Sequence, residues 1–425
     1  MTQYTPYWWE DAPRPVLPEK PLLTSCDVVI VGAGYAGLSA GLELARAGRS
    51  VQLIDKGVIG AAASSRSAGI ASGNLRISFS KMISALGLKR ALDYYAEGIE
   101  ARNDLLDFLD TEKIECQLQK TGRFTAVSRA DQYAQVARDI DRLNQHFHLD
   151  GYAVPKAEQH LEIGSDIYHG GVVRPDICGL HPGLLHAGML QRTLEAGAAV
   201  HGHTAALGIK REAGKFQVST NRGIINATEV IICTNGYTDK ATPWLRRRLI
   251  PVPSLMIATE AIATEVMQRL FPTNRMCGET SHVHYYFIPS PDGRRVLIGG
   301  RTAGKLVIDG PVNYQPVQQR LIQIFPELER VEFSHVWWGY VAMNLDHLPQ
   351  LGINDGIHYA TGFCGSGVVW ARWFGRKIAL KIIADPGAKS AFDNQPFRAI
   401  PFYHGNPWFL PPAVAWYKTL DYFGF

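Results

Sequence analysis

Residues 27–37 read Asp27-Val28-Val29-Ile30-Val31-Gly32-Ala33-Gly34-Tyr35-Ala36-Gly37. The unbroken β-branched run before Gly32 suits a short strand covered on both faces. Residues 36–47 then carry a helical pattern that stops at Gly48, the residue type favoured just past a helix end. Val51-Gln52-Leu53-Ile54-Asp55 reads as a second buried strand. Strand, glycine turn, helix and strand make one βαβ unit in about 30 residues.

The glycine spacing has a physical meaning in that setting. Gly32 allows the tight turn, Gly34 lets a backbone approach a pyrophosphate, and Gly37 lets helix and strand pack closely. The helix start offers unpaired N–H groups and the positive end of its dipole. Asp55, followed by Lys56, stands near the expected separation of about 20 residues, where an acid accepts hydrogen bonds from ribose hydroxyls. A glycine-rich turn that binds nothing is the plain alternative. It loses weight because strand, helix and acid all agree.

The fingerprint does not separate NAD from FAD, but two later segments favour a flavin. Glu229-Val230-Ile231-Ile232-Cys233 reads as a buried strand running into Thr234-Asn235-Gly236. Ile357 to Thr361 is a strand that leads through Gly362, Cys364, Gly365, Ser366 and Gly367 into a helix from Val368 to about 384. The N-terminus of that helix suits the negative charge a reduced flavin acquires at its pyrimidine end.

The rest of the chain sets bounds. At roughly 100–200 residues per domain, 425 residues make about two or three domains. A hydrophobic share of 46% supports a large core, and the net charge of +4 is too small and diffuse to suggest nucleic-acid binding. Six cysteines, at 26, 116, 178, 233, 277 and 364, show no C-x-x-C spacing. That excludes a zinc ribbon or thioredoxin-type pair and fits a reducing cytoplasm. The first residues lack a basic region followed by an apolar run, so no signal peptide is expected; no window is apolar enough for a transmembrane helix. Residues 1–25, with five prolines and Tyr7, Trp8 and Trp9, read as an extended arm packed on the body. Residues 86–170 read as mostly helical and 183–197 as a further helix. Residues 199–204, 207–212 and 215–220 read as strands, and 246–336 alternate strand and turn signals.

Taken together, these segments resemble the D-amino-acid-oxidase-like superfamily of FAD-dependent amine and amino-acid oxidoreductases, from about 25 to 420, and most of all its bacterial γ-glutamylputrescine oxidase branch. Ala63-Ser64-Ser65-Arg66-Ser67-Ala68-Gly69 resembles the family's second FAD-binding stretch, usually Ala-Ser-Gly-Arg-Asn-Gly-Gly. His284-Tyr285-Tyr286-Phe287, then Gly299-Gly300-Arg301, resemble the strand pair beside the flavin on the substrate side. Asp346-His347-Leu348-Pro349-Gln350-Leu351-Gly352 resembles an Asp-x-x-Pro-x-x-Gly segment, and Gly362 to Gly367 a Gly-Phe/Tyr-Ser-Gly-His-Gly turn.

The resemblance implies that Ser65, Arg66, Ser67, Ala68, Gly69 and Ile70 run under the cofactor and that Gly365, Ser366, Gly367 and Val368 meet the flavin ring. It implies a neutral amine that gives hydride to the flavin, leaving an imine that hydrolyses to an aldehyde or keto acid. Ser67-Ala68 stands for Asn-Gly, Cys364 for Ser and Ser366 for His, which unsettles the substrate preference. Residues 337–346 contain no cysteine, so the flavin is expected to be non-covalent. Leu297 stands where relatives place an oxygen-activating lysine, so the electron acceptor is oxygen or another carrier.

His284, Tyr286, Arg301, Trp338, His347 and Cys364 are the candidates for the reacting pocket. Arg301 suits a bidentate grip on a substrate carboxylate, or a structural ion pair. His284 and Tyr286 have packing roles as alternatives, and Cys364 reads more as a packed serine substitute than a reactive thiol. Trp337 and Trp338 place one indole on each face of a strand.

Two local patterns are set aside. Gly37-Leu38-Ser39-Ala40-Gly41 spells a hydrolase elbow, but Ser39 lies inside the helix. The fourteen histidines give no H-E-x-x-H or similar spacing, so no metal is expected. The aromatic stretch Trp408 to Lys418 is expected to pack on its own domain.

The expected architecture is α/β: a Rossmann-like FAD-binding domain and a second α+β substrate domain with a mainly antiparallel sheet. The FAD domain takes 25–85, 172–245 and 335–392; the substrate domain takes 86–171 and 246–334; 393–425 is a tail. The expected activity is oxidation of a C–N bond in an amine or amino-acid derivative, a γ-glutamyl amine being one form. The alternatives are a dehydrogenase with another acceptor, a flavin monooxygenase, and a non-catalytic flavin-binding protein. A Gly-Asp-Ala segment would mark the monooxygenase, and Gly362-Phe363-Cys364 stands in its place.

Overall fold

A computed structural model describes residues 1–281, 283–301 and 310–423, without the side chains of Lys418 and 421–423. Two eight-stranded sheets organise them. The first carries Ser25–Val31 at its centre, paired in parallel with Val51–Ile54 on one side and Gly223–Ile232 on the other. Ala199–His201 extends the sheet beyond Val51–Ile54, and Ile357–Thr361 extends it beyond Gly223–Ile232, both in parallel. An antiparallel hairpin, Ala206–Glu212 with Lys215–Thr220, continues into Gly223–Ile232, and Gln350–Asn354 closes the other edge. This is the expected Rossmann-like sheet.

The burial pattern explains the central strand. Val28 and Ile30 face a core shared with helices Tyr35–Arg46, Leu88–Glu112, Pro182–Glu195 and Gly367–Ile382. Val29 and Val31 face the opposite core, which holds Phe216, Val218 and Ile225 from the hairpin side. Helix Tyr35–Arg46 lies so close to helix Gly367–Ile382 that a Cβ on Gly375 would stand 2.1 Å from the Ala36 carbonyl oxygen.

The second sheet runs Phe333–Met343, Ile250–Thr259, Val296–Arg301, Tyr285–Pro289, Met276–Glu279, Arg123–Ala126, Gly171–Arg174 and Tyr152–Val154. Its pairings are antiparallel except Met276–Glu279 with Arg123–Ala126. It is therefore the expected mainly antiparallel sheet. Three of its strands interrupt or adjoin the stretch read as mostly helical, and at three or four residues each they are too short to show alternation. Phe333–Met343 pairs along nearly the whole of Ile250–Thr259, so the expected boundary at 335 cuts through a strand of this sheet. Helices Thr264–Leu270 and Gln315–Ile324 were not expected from the turn-rich pattern between 246 and 336.

The N-terminal arm is fixed in place. Gln3 bridges His335 at the edge of the second sheet, its N–H donating to Ser334 O and its carbonyl accepting from Val336 N, each at 2.8 Å. Tyr7 and Trp8 enter the cluster formed by Met256, Met276, Leu297 and Trp337. Trp8 meets the His181 ring edge-on at 4.9 Å, and Tyr7 meets His335 at 5.7 Å.

Both histidines are buried, and burial pushes each down to about 4. They stay neutral in the folded chain while the unfolded chain protonates them near 6.5. Their contribution to stability is therefore present above about pH 6.5 and is lost as pH falls toward 4, where the unfolded state binds more protons. A melting-temperature profile is expected to fall across that window. The fall should shrink in His181→Gln and His335→Gln, and equal slopes in all three proteins would refute it.

Candidate active site

The glycine turn after the central strand is built by close contacts that leave no room for side chains. Gly32 has φ +105, and a Cβ there would stand 2.8 Å from Cys233 O. A Cβ on Gly37 would stand 1.9 Å from Gly32 O, backbone against backbone. Gly34 precedes helix Tyr35–Arg46 and provides no side-chain cap, so the helix start is left open; only Tyr35 N–H is met, by Ser64 Oγ at 3.1 Å. At the end of the second strand Asp55 accepts from Ala33 N at 3.1 Å and from Gly57 N at 3.0 Å. Burial raises its carboxyl, and these two hydrogen bonds oppose the rise. Lys56 lies at the rim, 3.3 Å from Asp239. An open helix N-terminus, a glycine cradle and a fixed acid are the donor set a dinucleotide pyrophosphate and ribose require, so the residues present fit the expected cofactor.

The segment 63–70 is tied down at several points. The Arg66 side chain is buried; Nε donates to Ala61 O at 2.7 Å and Nη1 to Trp338 O at 3.1 Å. Its guanidinium lies 4.6 Å over the Trp9 ring, and Trp9 Nε1 donates to Ser65 Oγ at 2.9 Å. Ser65 in turn donates to Gly60 O. Ser67 Oγ accepts from Gly69 N at 3.4 Å, and Ala68 and Ile70 pack against the cluster of the arm. Gly69, at φ +70, would drive a Cβ to 1.8 Å from Leu180 O. Trp337, not Trp338, sends its indole to this segment: Nε1 donates to Arg66 O at 2.9 Å. The Trp338 side chain is buried on the other face, with Phe287, Leu255 and Tyr340.

The remaining two turns meet each other. Asn235, at φ +44, accepts from Gly362 N at 2.9 Å, with Thr234 hydroxyl-bonded to Thr238 at 2.7 Å. Gly236 packs against Tyr340. Gly365 has φ +104, and a Cβ there would meet nothing within 4 Å. Ser366 precedes helix Gly367–Ile382 without a side-chain cap, and Val368 is buried in the first core. A second open helix start thus borders free space. Cys364 is buried, donates to Gly362 O at 3.1 Å, and has its thiol pushed up to about 12 by burial.

The second sheet supplies the opposite wall. His284 Nδ1 donates to Glu279 O at 2.6 Å, and its Nε2 faces Arg123 Nη2 at 3.5 Å. Burial first, and then Arg123, Arg76 and Arg301, hold this imidazole well below its ordinary value, so it is neutral. Tyr286 Oη lies 3.1 Å from Ser254 Oγ, and Ser254 pairs with Arg301 across the strands. Arg301 is lowered to about 10 by burial and then by Arg76. His347 stands on an exposed turn at φ +53, within range of Arg76 and Arg301. Arg76 and Arg301 both act on Cys364. Cys364 N–H donates to Ala342 O at 3.1 Å, so the turn 362–367 meets the second sheet on Phe333–Met343, two strands from Val296–Arg301. Leu297 is fully buried in the arm's cluster.

Sequence reasoning did not single out Trp9, Arg76 or Arg123 for the site, and named Ser64 only within the stretch 63–69. Arg76 and Arg123 stand singly in unremarkable contexts and carry no local signal. The aromatic arm signalled packing, but its docking place depends on tertiary structure.

A family profile described as "DAO: FAD dependent oxidoreductase" matches residues 27–380. The chain is 27% identical over 427 residues to a probable oxidoreductase OrdL of Rhizobium meliloti, covering 98% of each. It is 27% identical over 440 residues to the gamma-glutamylputrescine oxidoreductase of Escherichia coli, covering 100% of each. Among solved structures, glycine oxidase from Geobacillus kaustophilus superposes with a TM-score of 0.72 at 21% identity, covering 89% of this chain and 99% of that one.

Proposed function

We propose, from the premise that the chain belongs to the DAO family of FAD-dependent oxidoreductases, that it oxidises a C–N bond in an amine or amino-acid derivative bound between the two sheets. One observation carries this reading: the turn 362–367 meets the second sheet, Cys364 N–H donating to Ala342 O at 3.1 Å on a strand two removed from the one that ends at Arg301. The gamma-glutamylputrescine oxidoreductase and glycine oxidase relatives support it, since both names denote amine or amino-acid chemistry.

FAD, when bound, supplies the two-electron acceptor for the substrate C–H. The chain's own residues do the rest. Gly32, Ala33, Gly34, Tyr35, Ala36 and Gly37 receive the pyrophosphate, and Asp55 receives the ribose. Residues 65–70, Thr234 to Gly236 and Gly362 to Val368 frame the ring, without a covalent attachment. Arg301 orients a carboxylate, and Tyr286 and Ser254 line its approach. Neutral His284 holds Arg123 in position, accepting at Nε2 while Nδ1–H is committed to Glu279 O. The two separate sheets support a reading in two domains. Six reduced, buried cysteines support a place in the cytoplasm. No helix among the described residues is long and apolar enough to cross a membrane.

The test is an anaerobic titration of the flavin absorbance with single amines and amino acids. Bleaching by one class is expected, and the rate of colour return on readmitting air separates oxygen from another acceptor. Bound flavin that no amine or amino acid bleaches would sink the proposal and favour a non-catalytic role.

A further inference from the structure

We propose that the face built from residues 243–249 and 397–420 docks on an anionic lipid surface. It combines an aromatic segment left uncovered on one side with a run of cations that no acid answers. The stretch from Trp408 onward, expected to pack on its own domain, does so on one side only. Phe409 meets the Tyr403 ring at 5.7 Å, Tyr403 donates to Leu249 O at 2.9 Å, and Leu410 packs with Val252, Met343 and Cys364. On the other side Phe402 is 94% exposed, Trp408 69% and Trp416 59%. In helix Leu410–Phe423 the exposed residues Pro411, Pro412, Ala415, Trp416 and Tyr417 carry no charge. A helix on a water-facing surface ordinarily turns charged or polar residues outward.

The cations come from a second segment tied to the first. Arg247 O accepts from Ile400 N at 2.9 Å, and a Cβ on Gly405 would stand 2.1 Å from Arg246 Nε. Arg248 lies 3.7 Å over the Trp244 ring and donates to Phe397 O at 2.8 Å. Residues 240–259 and 394–420 contain no aspartate or glutamate. Among the described residues no carboxylate pairs with Arg246, Arg247 or Arg248, whereas Arg398 is paired with Asp346.

The headgroup zone of a bilayer takes indole rings at its apolar boundary and arginines at its phosphates. Phe402 projects almost free of its own chain, as a ring entering a fluid boundary does. A second copy of the chain would offer the same acid-free face, so a two-fold contact through it would set cations against cations. Because Leu410 rests on Cys364, the docked face adjoins the turn 362–367.

The test uses the FAD-loaded full chain and vesicles of phosphatidylcholine, pure or mixed with phosphatidylglycerol, read by co-sedimentation and by the shift of tryptophan emission. The anionic vesicles are expected to take up at least about fivefold more protein at low salt, and high salt should abolish the preference. Arg247→Gln, at an exposed position, should lower partitioning onto them about fivefold. Trp408→Ser combined with Trp416→Ser should lower it at least about tenfold while flavin content stays unchanged. Equal uptake by both vesicle types overturns the proposal. Uptake by neither, with polyglutamate bound instead, overturns it in favour of an acidic protein. A stable dimer in light scattering that Trp408→Ser dissolves overturns it in favour of a second copy.

Discussion

A Gly37→Ala variant is expected to purify without flavin. The added Cβ would stand 1.9 Å from Gly32 O and 3.1 Å from Gly32 C, both rigid backbone atoms of the adjoining turn. No rotamer change relieves that contact, so helix Tyr35–Arg46 must lift from the central strand. Overpacking of this kind costs about 1–3 kcal/mol or more. The loss falls on the element whose open N-terminus is proposed to receive the pyrophosphate, so cofactor affinity is expected to drop further than stability. Visible absorbance of the purified protein, with a thermal melt of the same sample, reads both. Full flavin content in the alanine variant would refute the placement of the cofactor at this turn.

The second large effect is expected at Arg66. Its side chain ties Ala61, Trp338 and the Trp9 ring into one unit beneath the segment 63–70. Arg66→Ala removes two charged hydrogen bonds, each worth roughly 1.5–3 kcal/mol. FAD affinity should fall by about a hundredfold or more, with the fold retained. Titration of apoprotein with FAD, followed by quenching of flavin fluorescence, gives the number. An unchanged dissociation constant would remove this segment from the cofactor site. Arg66→Lys is expected to recover only part of the loss, because one ammonium cannot reproduce the forked geometry.

The parallel sheet was legible because its signals are local. Val28 to Val31 is buried on both sides, and Gly32 and Gly37 are demanded by backbone contacts within a few residues or with the adjacent strand. The same holds for Gly362 and Asn235, whose strand-ending turns could be named before their hydrogen bond was seen. The wall from the second sheet was only partly legible. Arg301 sat in a recognisable strand pair, whereas Arg123 acquires meaning only beside His284, brought to it from 161 residues away. The choice between Trp337 and Trp338 depended on which face of Phe333–Met343 meets the segment 63–70, and alternation alone gives two faces without saying which is which. The short strands Arg123–Ala126 and Tyr152–Val154 escaped notice because their pairing partners, not their own sequence, make them strands.

The arm that bridges Gln3 to His335 and lays Trp9 on Arg66 also orders events during synthesis. Gln3 must wait for His335 to be made before it finds its seat, a contact of very high sequence separation. Until then the segment 63–70 lacks its indole cover. A chain that stops before Phe333–Met343 therefore holds the glycine turn without the seat on which the arm docks.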